Sequence, residues 1–236
     1  MKIKVLFDKD TLDKDLYTGW GVSFLIGDKV LFDTGENGEW LLSNMEKMKV
    51  DIDKLERIVI SHEHWDHAGG LWSLLEKKPG LTVSACPHSS PGFKKKIASY
   101  GGILKEAHEF SRISGDIYNT GEVLGTYGLK YIPEQAAALK TEKGVVIVTG
   151  CAHPGIIKMI ERVKENLAGD IYLVFGGFHL KSQPDEDVRN IISEFRSLNI
   201  KKAGPTHCTG DRAIELFEKE YKKDFLEIKT GQIIEI

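Results

Sequence analysis

Apolar and polar positions in the first third of the chain form short runs that are typical of β-strands. Met1 to Asp8 alternates between the two kinds of residue, and the apolar runs Trp20 to Ile26 and Val30 to Asp33 are separated by Gly27-Asp28. A Gly-Asp pair between two apolar runs is a hairpin signal. The pattern therefore predicts a first strand followed by a β-hairpin.

The next part of the chain predicts short elements of both kinds. We expect a helix over Glu39–Met48, a strand over Ile58–Ile60, a helix over Leu71–Lys77, a strand over Leu81–Ala85 and a helix near Phe93–Tyr100. The segment from Pro87 to Tyr131 is rich in Gly and Ser, which predicts several short strands around that helix.

The last third alternates more regularly between strands and amphipathic helices. We expect strands at Val145–Val148 and Ile171–Phe175, and helices over Pro154–Leu167, Pro184–Leu198 and Asp211–Tyr221. The helical spacing of the apolar residues predicts faces that pack against a sheet rather than faces that bind a partner. The whole pattern predicts a single α/β domain over residues 1–236, with helices outside and sheets within.

Composition excludes some classes of partner. The chain has 236 residues with a formal net charge of -3, so nothing general in its charge favours nucleic acid or an anionic membrane. A small-molecule substrate, with or without a phosphate group, fits this balance. The three cysteines do not form a disulfide framework, and no apolar stretch approaches the roughly 20 residues that cross a bilayer. We expect a cytoplasmic protein without a membrane segment.

The segment from Ser61 to Gly70 contains four candidate metal ligands. It holds His62, His64, Asp66 and His67 directly after a predicted strand. Neutral imidazole and carboxylate are ligands that suit zinc and other divalent ions. We expect an extended loop in which His62 and His64 point the same way, with Asp66 and His67 facing a neighbouring position.

These residues complete the pattern His-x-His-x-Asp-His, and in this the sequence resembles the metallo-β-lactamase superfamily. Phe32-Asp33-Thr34-Gly35 resembles an early Asp motif of that family, and Gly204-Pro205-Thr206-His207 resembles its late His motif. The resemblance spans most of the chain. It implies an αββα four-layer sandwich, with the metal site along one edge where strand ends converge.

The resemblance also implies the metal ligands. They would hold one or two divalent ions, with zinc first and manganese or iron as alternatives. The implied ligands are His62, His64 and His153 for the first ion, and Asp66, His67 and His207 for the second.

One position departs from the family pattern. Family members usually carry a metal-bridging Asp after the strand that here ends near Val148, but this chain has Cys151 instead. A thiolate can itself bind zinc, and the alternative is a Cys that only packs. We also expect Asp33 to accept a hydrogen bond from a ligand N–H.

Three glycine-containing motifs narrow the resemblance. They are Gly150–Gly155, Gly176–Leu180 and Gly204–Gly210, and they resemble a branch of metal-dependent hydrolases that includes 7,8-dihydropterin-6-methyl-4-(β-D-ribofuranosyl)aminobenzene-5′-phosphate synthase. Within such a site Asp66 and His179 are the candidate catalytic residues. His179 is a proton donor or an additional ligand, and the alternative is an ordinary capping or core His.

The resemblance implies a metal-dependent hydrolase that acts on an ester or phosphoester of a small molecule. The alternative is a non-hydrolytic synthase that joins a dihydropterin to a phosphoribosyl aryl amine. Two further rivals are disfavoured. A di-iron redox relative tends to carry Glu in place of His64 and a fused flavin domain, and a binding module without activity would lack several ligands, whereas here only the bridging Asp is missing.

Overall fold

A computed structural model describes residues 1–127 and 130–236. The strands are β1 Lys2–Phe7, β2 Ser23–Ile26, β3 Val30–Phe32, β4 Arg57–Val59, β5 Thr82–Ala85, β6 Ile103–Glu106, β7 Ser111–Ser114, β8 Ile117–Asn119, β9 Val123–Tyr127, β10 Lys130–Glu134, β11 Ala137–Thr141, β12 Gly144–Thr149, β13 Ile171–Gly177, β14 Lys202–Thr206 and β15 Ile233–Glu235. The α-helices are α1 Gly38–Lys47, α2 Trp65–Ala68, α3 Leu71–Lys77, α4 Pro91–Ser99, α5 Ile156–Asn166, α6 Asp185–Ser197 and α7 Asp211–Tyr221. Short 3₁₀ turns lie at Ile52–Lys54, His207–Thr209 and Lys222–Asp224.

The chain divides into two compact units. The first comprises residues 1–109 and 229–236, and the second comprises residues 110–228. In the first unit the strand order of the sheet is β15-β1-β2-β3-β4-β5-β6. Strands β3, β4, β5 and β6 are mutually parallel neighbours, whereas β1, β2 and β15 join them through antiparallel pairs.

The core of the first unit lies between this sheet and its helices. Leu31, Ile58 and Val83 of three adjacent strands are fully buried in one cluster with Leu41 of α1 and Leu74 of α3. Asn37 caps α1 by accepting a hydrogen bond from the backbone N–H of Trp40 at 3.1 Å. Burial of the apolar face of α1 and α3 therefore fixes the helices against the sheet that carries the Ser61–Gly70 segment.

The sheet of the second unit has the order β14-β13-β12-β11-β8-β7, with β9 and β10 forming a separate antiparallel pair. Strands β12, β13 and β14 are parallel. Each connection between them contains a helix, α5 and then α6. The apolar faces of these helices pack in one core cluster with the sheet, including Ile160, Phe195 and Phe217.

The sequence predicted most of these elements. The first strand, the hairpin at Gly27-Asp28, the six predicted helices and the strands β12 and β13 agree with the expectation to within about three residues at their ends. Helix α2 and strands β11 and β15 were not predicted, and β10 only begins within the segment that was expected to contain short strands. Gly128 and Leu129, which belong to the Gly-rich segment expected to contain short strands, lie outside the described residues.

In the part of the chain that the structure describes, no helix has the length and apolar character needed to cross a membrane. The prediction of a single domain over residues 1–236 stays a prediction.

Candidate metal centre

In the first unit, the ends of two parallel strands bring the predicted ligand segment beside Asp33. Strand β3 ends at Phe32 and β4 ends at Val59, and the two strands pair in parallel with Phe32 opposite Val59. Because neighbouring parallel strands end at the same edge of a sheet, the residues that follow them lie side by side. Asp33 thus lies next to Ser61.

Asp33 is a fully buried carboxylate that accepts three hydrogen bonds. Its Oδ1 accepts from the backbone N–H of Ser61 at 2.6 Å, and its Oδ2 accepts from Ser61 Oγ at 2.7 Å. Oδ2 also lies 2.7 Å from Nδ1 of His67. The sequence did not show which candidate ligand Asp33 would contact, and the structure shows that it is His67.

The hydrogen bond to Asp33 favours the tautomer of His67 that carries its proton on Nδ1. Nε2 is then the nitrogen with an electron pair for a metal. It lies 3.4 Å from Oδ2 of Asp66. Burial disfavours the charged imidazole, but the charge and hydrogen bond of Asp33, with a smaller effect of Asp66, raise the pKa of His67 well above its usual value.

The first half of the motif is extended and its second half is helical. His64 has extended backbone angles and precedes α2, so the extended loop predicted for all four residues holds for His62 and His64 but not for Asp66 and His67, which lie in α2. His62 Nε2 lies 2.9 Å from His64 Nδ1. Two nitrogens bound to one tetrahedral ion at about 2.0 Å are about 3.3 Å apart, so this pair fits a shared metal with little movement.

In the second unit, three parallel strand ends place the later candidates at one edge. Cys151 and His153 follow β12, His179 follows β13, and His207 follows β14. Thr149 of β12 pairs with Gly176 of β13, and the next residue of β13 pairs with the last residue of β14. His153 was expected at the start of a helix, but α5 begins at Ile156 and His153 lies in the turn before it.

The second unit contains a cluster of soft and borderline donors. One donor atom each of Cys151, His153 and His179 lies within 4.8 Å of the other two. The rings of His153 and His179 have centroids 4.3 Å apart, and both ring nitrogens of His153 are buried. Among the described residues, these donors form a group able to hold a metal ion within this unit.

Cys208 adjoins this cluster. Its Sγ donates a weak hydrogen bond to the carbonyl oxygen of Cys151 at 3.7 Å. Burial alone would raise the pKa of Cys208, but hydrogen bonds with Cys151 and His179, and the charges of His207 and His179, hold that pKa well below its usual value. The surroundings therefore favour negative charge on sulfur.

Glu134 is a buried residue that the sequence analysis missed. Its side chain accepts hydrogen bonds from the three consecutive backbone N–H groups of Cys151, Ala152 and His153, at 2.7 to 2.8 Å. These partners lie 17 to 19 residues later in the chain, so no local pattern identifies it. A Glu at the end of a run of apolar residues was the only available signal.

Left-handed backbone conformations concentrate in the loops that carry these residues. Apart from three positions at helix ends, the described non-glycine residues with positive φ are Asp33, Ala152, His179 and His207, with φ between 52° and 59°. This conformation costs a residue with a side chain roughly 1 kcal/mol or more and persists where the surroundings enforce it. These constrained loops lie at the edge of each sheet that carries the candidate ligands.

Comparisons with known proteins agree with these motifs. The profile of the Metallo-beta-lactamase superfamily matches residues 21–207. A 7,8-dihydropterin-6-methyl-4-(beta-D-ribofuranosyl)-aminobenzene-5'-phosphate synthase of Methanocaldococcus jannaschii is 30% identical over 261 aligned residues, which cover 91% of this chain and 89% of that protein.

Solved structures show the same fold. Tm1679, described as a metal-dependent hydrolase of the beta-lactamase superfamily, matches with a TM-score of 0.84 and 26% identity over 100% of this chain and 99% of its own. The short form of human tRNase Z matches with a TM-score of 0.64 and 13% identity, covering 100% of this chain and 99% of that one. The predicted α/β class, the metallo-β-lactamase fold and the resemblance are confirmed.

An Asp33→Asn substitution should weaken metal binding by about 10- to 100-fold, the usual cost of losing a partner that orients a ligand. Asn tolerates the left-handed backbone at this position. The Asn side chain has only one acceptor oxygen, however, and its NH₂ group would face Ser61 or His67, from which Asp33 accepts hydrogen bonds. Competition with a chromophoric chelator measures the affinity. Asp28→Asn in the exposed hairpin turn is the control, and equal affinities of the two variants would contradict the role of Asp33.

A Gly177→Ala substitution should destabilise the protein by about 1 to 3 kcal/mol and reduce its metal content. A methyl group at Gly177 would overlap the carbonyl oxygen of Gly150 and lie 2.7 Å from Cys208 Sγ, so the Cys151 loop must shift. Gly92→Ala in α4 meets only Ser90 Oγ at 4.0 Å and should be neutral. Thermal unfolding and elemental analysis are measured on both variants. Unchanged values for Gly177→Ala would show that the loop has room to move.

Proposed function

Because the chain belongs to the metallo-β-lactamase superfamily, we propose that it is a metal-dependent hydrolase of an ester or phosphoester in a small molecule. The observation that carries this proposal is the complete His-x-His-x-Asp-His motif, with His67 held by a buried carboxylate. The proposal treats residues 1–236 as one functional domain and places the protein in the cytoplasm. Both remain predictions.

The proposed ligands fall into two sets of three, as in the family pattern. The first is His62, His64 and His153, and the second is Asp66, His67 and His207. The chemistry of these donors supports one or two divalent ions, zinc first and manganese or iron as alternatives. A bound ion would act as a Lewis acid and lower the pKa of a water molecule to about 7.

The protein's own residues have separate tasks in this proposal. Asp33 fixes the tautomer and direction of His67, and Ser61 links Asp33 to Nδ1 of His62 at 2.9 Å. Asp66 provides the carboxylate at the reacting centre. His179, whose ring lies against that of His153, donates a proton to the leaving group.

A second candidate function follows from the 30% identity to the dihydropterin synthase. In that case the protein would not hydrolyse a bond but would join a dihydropterin, whose 6-methyl carbon carries a leaving group, to the nitrogen of a phosphoribosyl aryl amine. The C–N bond forms as the bond to the leaving group breaks, and the amine loses a proton. The same ligand sets would serve both reactions, since in each a Lewis acid would stabilise the negative charge that develops as the bond to the leaving group breaks. The similarity to Tm1679, described as a metal-dependent hydrolase, favours the first candidate.

A His62→Ala substitution should remove bound metal and activity together. Loss of a residue that orients a ligand typically weakens metal affinity by about 10- to 100-fold, and loss of the ligand itself should weaken it further. Metal per chain is measured by elemental analysis after native purification, with folding checked by circular dichroism. His108→Ala is the control because the imidazole of His108 is 67% exposed. Its Nε2 lies 3.1 Å from Oε2 of Glu106. Full metal content in folded His62→Ala would contradict the assignment of the first set.

Zinc-loaded protein should hydrolyse generic ester or phosphodiester reporters slowly, and a chelator should abolish the reaction. The bound ion supplies the reaction type, but the rate depends on substrate positioning that a reporter lacks. The same preparation is incubated with a phosphoribosyl aryl amine and a dihydropterin whose 6-methyl carbon carries a leaving group, and products are identified by mass spectrometry. Product from that pair, with no turnover of any ester, amide or phosphoester, would replace the hydrolase with the synthase.

A further inference from the structure

The loop that contains Cys151 and His153 is held by hydrogen bonds to the buried carboxylate of Glu134. Glu134 has no exposed surface, and its Oε1 accepts from the backbone N–H groups of Cys151 at 2.8 Å and Ala152 at 2.7 Å. Its Oε2 accepts from the N–H of His153 at 2.7 Å. A buried carboxylate is stable only when its lone pairs are hydrogen-bonded, so the loop and Glu134 depend on each other.

These hydrogen bonds set the directions of the Cys151 and His153 side chains. Ala152 is held at a φ of 59°, which a non-glycine residue adopts only under constraint. The turn at Ala152 brings its two neighbours to the same side, where a donor atom of Cys151 lies within 4.8 Å of one of His153. A loop that only had to cover the sheet would need neither the strained residue nor the buried carboxylate.

We propose that Cys151 is a thiolate ligand of the same divalent ion as His153, so that the metal centre contains a sulfur donor. This inference rests on the proposed function, since it adds a ligand to that site. Zinc binds sulfur at about 2.3 Å and imidazole nitrogen at about 2.0 Å, which puts the two donors roughly 3.5 Å apart in a tetrahedral site. The spacing of Cys151 and His153 is compatible with that value.

The sulfur donor would explain the missing carboxylate. At the position where the resemblance leads one to expect a metal-bridging Asp, Cys151 also supplies a negative charge, but a softer one. A thiolate favours zinc and cobalt over manganese and magnesium. Metal preference would therefore differ from that of an all-nitrogen and oxygen site.

The other two cysteines provide matched controls. Cys208 is 7% exposed and contacts the Cys151 carbonyl oxygen through Sγ, so it is the alternative thiolate. Cys86 is 1% exposed in the first unit and its Sγ contacts the carbonyl oxygen of Ser61. All three are buried cysteines that form no disulfide.

The test replaces the native ion with Co²⁺ and records the absorption spectrum of the full chain. A cobalt–thiolate bond gives an intense charge-transfer band in the near ultraviolet, whereas bound cobalt of any ligation gives weaker visible bands. We expect the charge-transfer band in the wild-type protein, in Cys86→Ala and in Cys208→Ala. It should be lost in Cys151→Ser, together with at least a 10-fold weaker cobalt affinity.

A second measurement avoids mutagenesis if Cys151→Ser does not fold. X-ray absorption of the zinc-loaded wild-type protein should show a sulfur scatterer at about 2.3 Å. The inference is overturned if the bound metal has no sulfur neighbour. It is also overturned if the charge-transfer band persists in Cys151→Ser or disappears only in Cys208→Ala. These outcomes leave the hydrolase proposal intact. Failure to bind any cobalt or zinc overturns both.

Discussion

In each unit, the segment that carries candidate ligands depends on a buried carboxylate. Asp33 accepts three hydrogen bonds from Ser61 and His67, and Glu134 accepts three from the loop of Cys151 and His153. A carboxylate without water must find donors, and here the donors belong to the segments that carry the candidate ligands. Folding of each sheet therefore fixes the ligand loops, because leaving either charge unsatisfied would cost several kcal/mol.

The two carboxylates act on different parts of the ligands. Asp33 contacts an imidazole directly, so it determines which nitrogen of His67 carries the proton. Glu134 accepts hydrogen bonds from the backbone N–H groups of the loop, so it determines where the Cys151 and His153 side chains begin. Asp33, Ala152 and His207 hold left-handed conformations in these loops. Strain at such positions is tolerated because the parallel strands on either side fix the chain.

The proposed sulfur donor would affect which ions bind and how they act. Imidazoles and one carboxylate alone would accept a broad range of divalent ions, whereas a thiolate narrows the range toward zinc and cobalt. A sulfur donor also transfers more negative charge to the ion than a neutral imidazole, which moderates its Lewis acidity. Weaker Lewis acidity would slow the hydrolytic and the condensing reaction alike. The choice between the two reactions must therefore depend on substrate contacts outside the ligand sets.

The sequence by itself determined the local features. It predicted the hairpin, most helices, the parallel strands and the candidate ligand motif, since each depends on residues close together in the chain. It predicted that Asp33 orients a ligand but not which one, and it did not find Glu134. Those contacts join residues 17 to 34 positions apart, and only the register of the strands and the depth of burial decide them. The helical turn at Asp66 and His67 has a different cause, since the backbone N–H groups of His67 and Ala68 donate to the carbonyl oxygen of His64, and the alternation of side chains did not predict it.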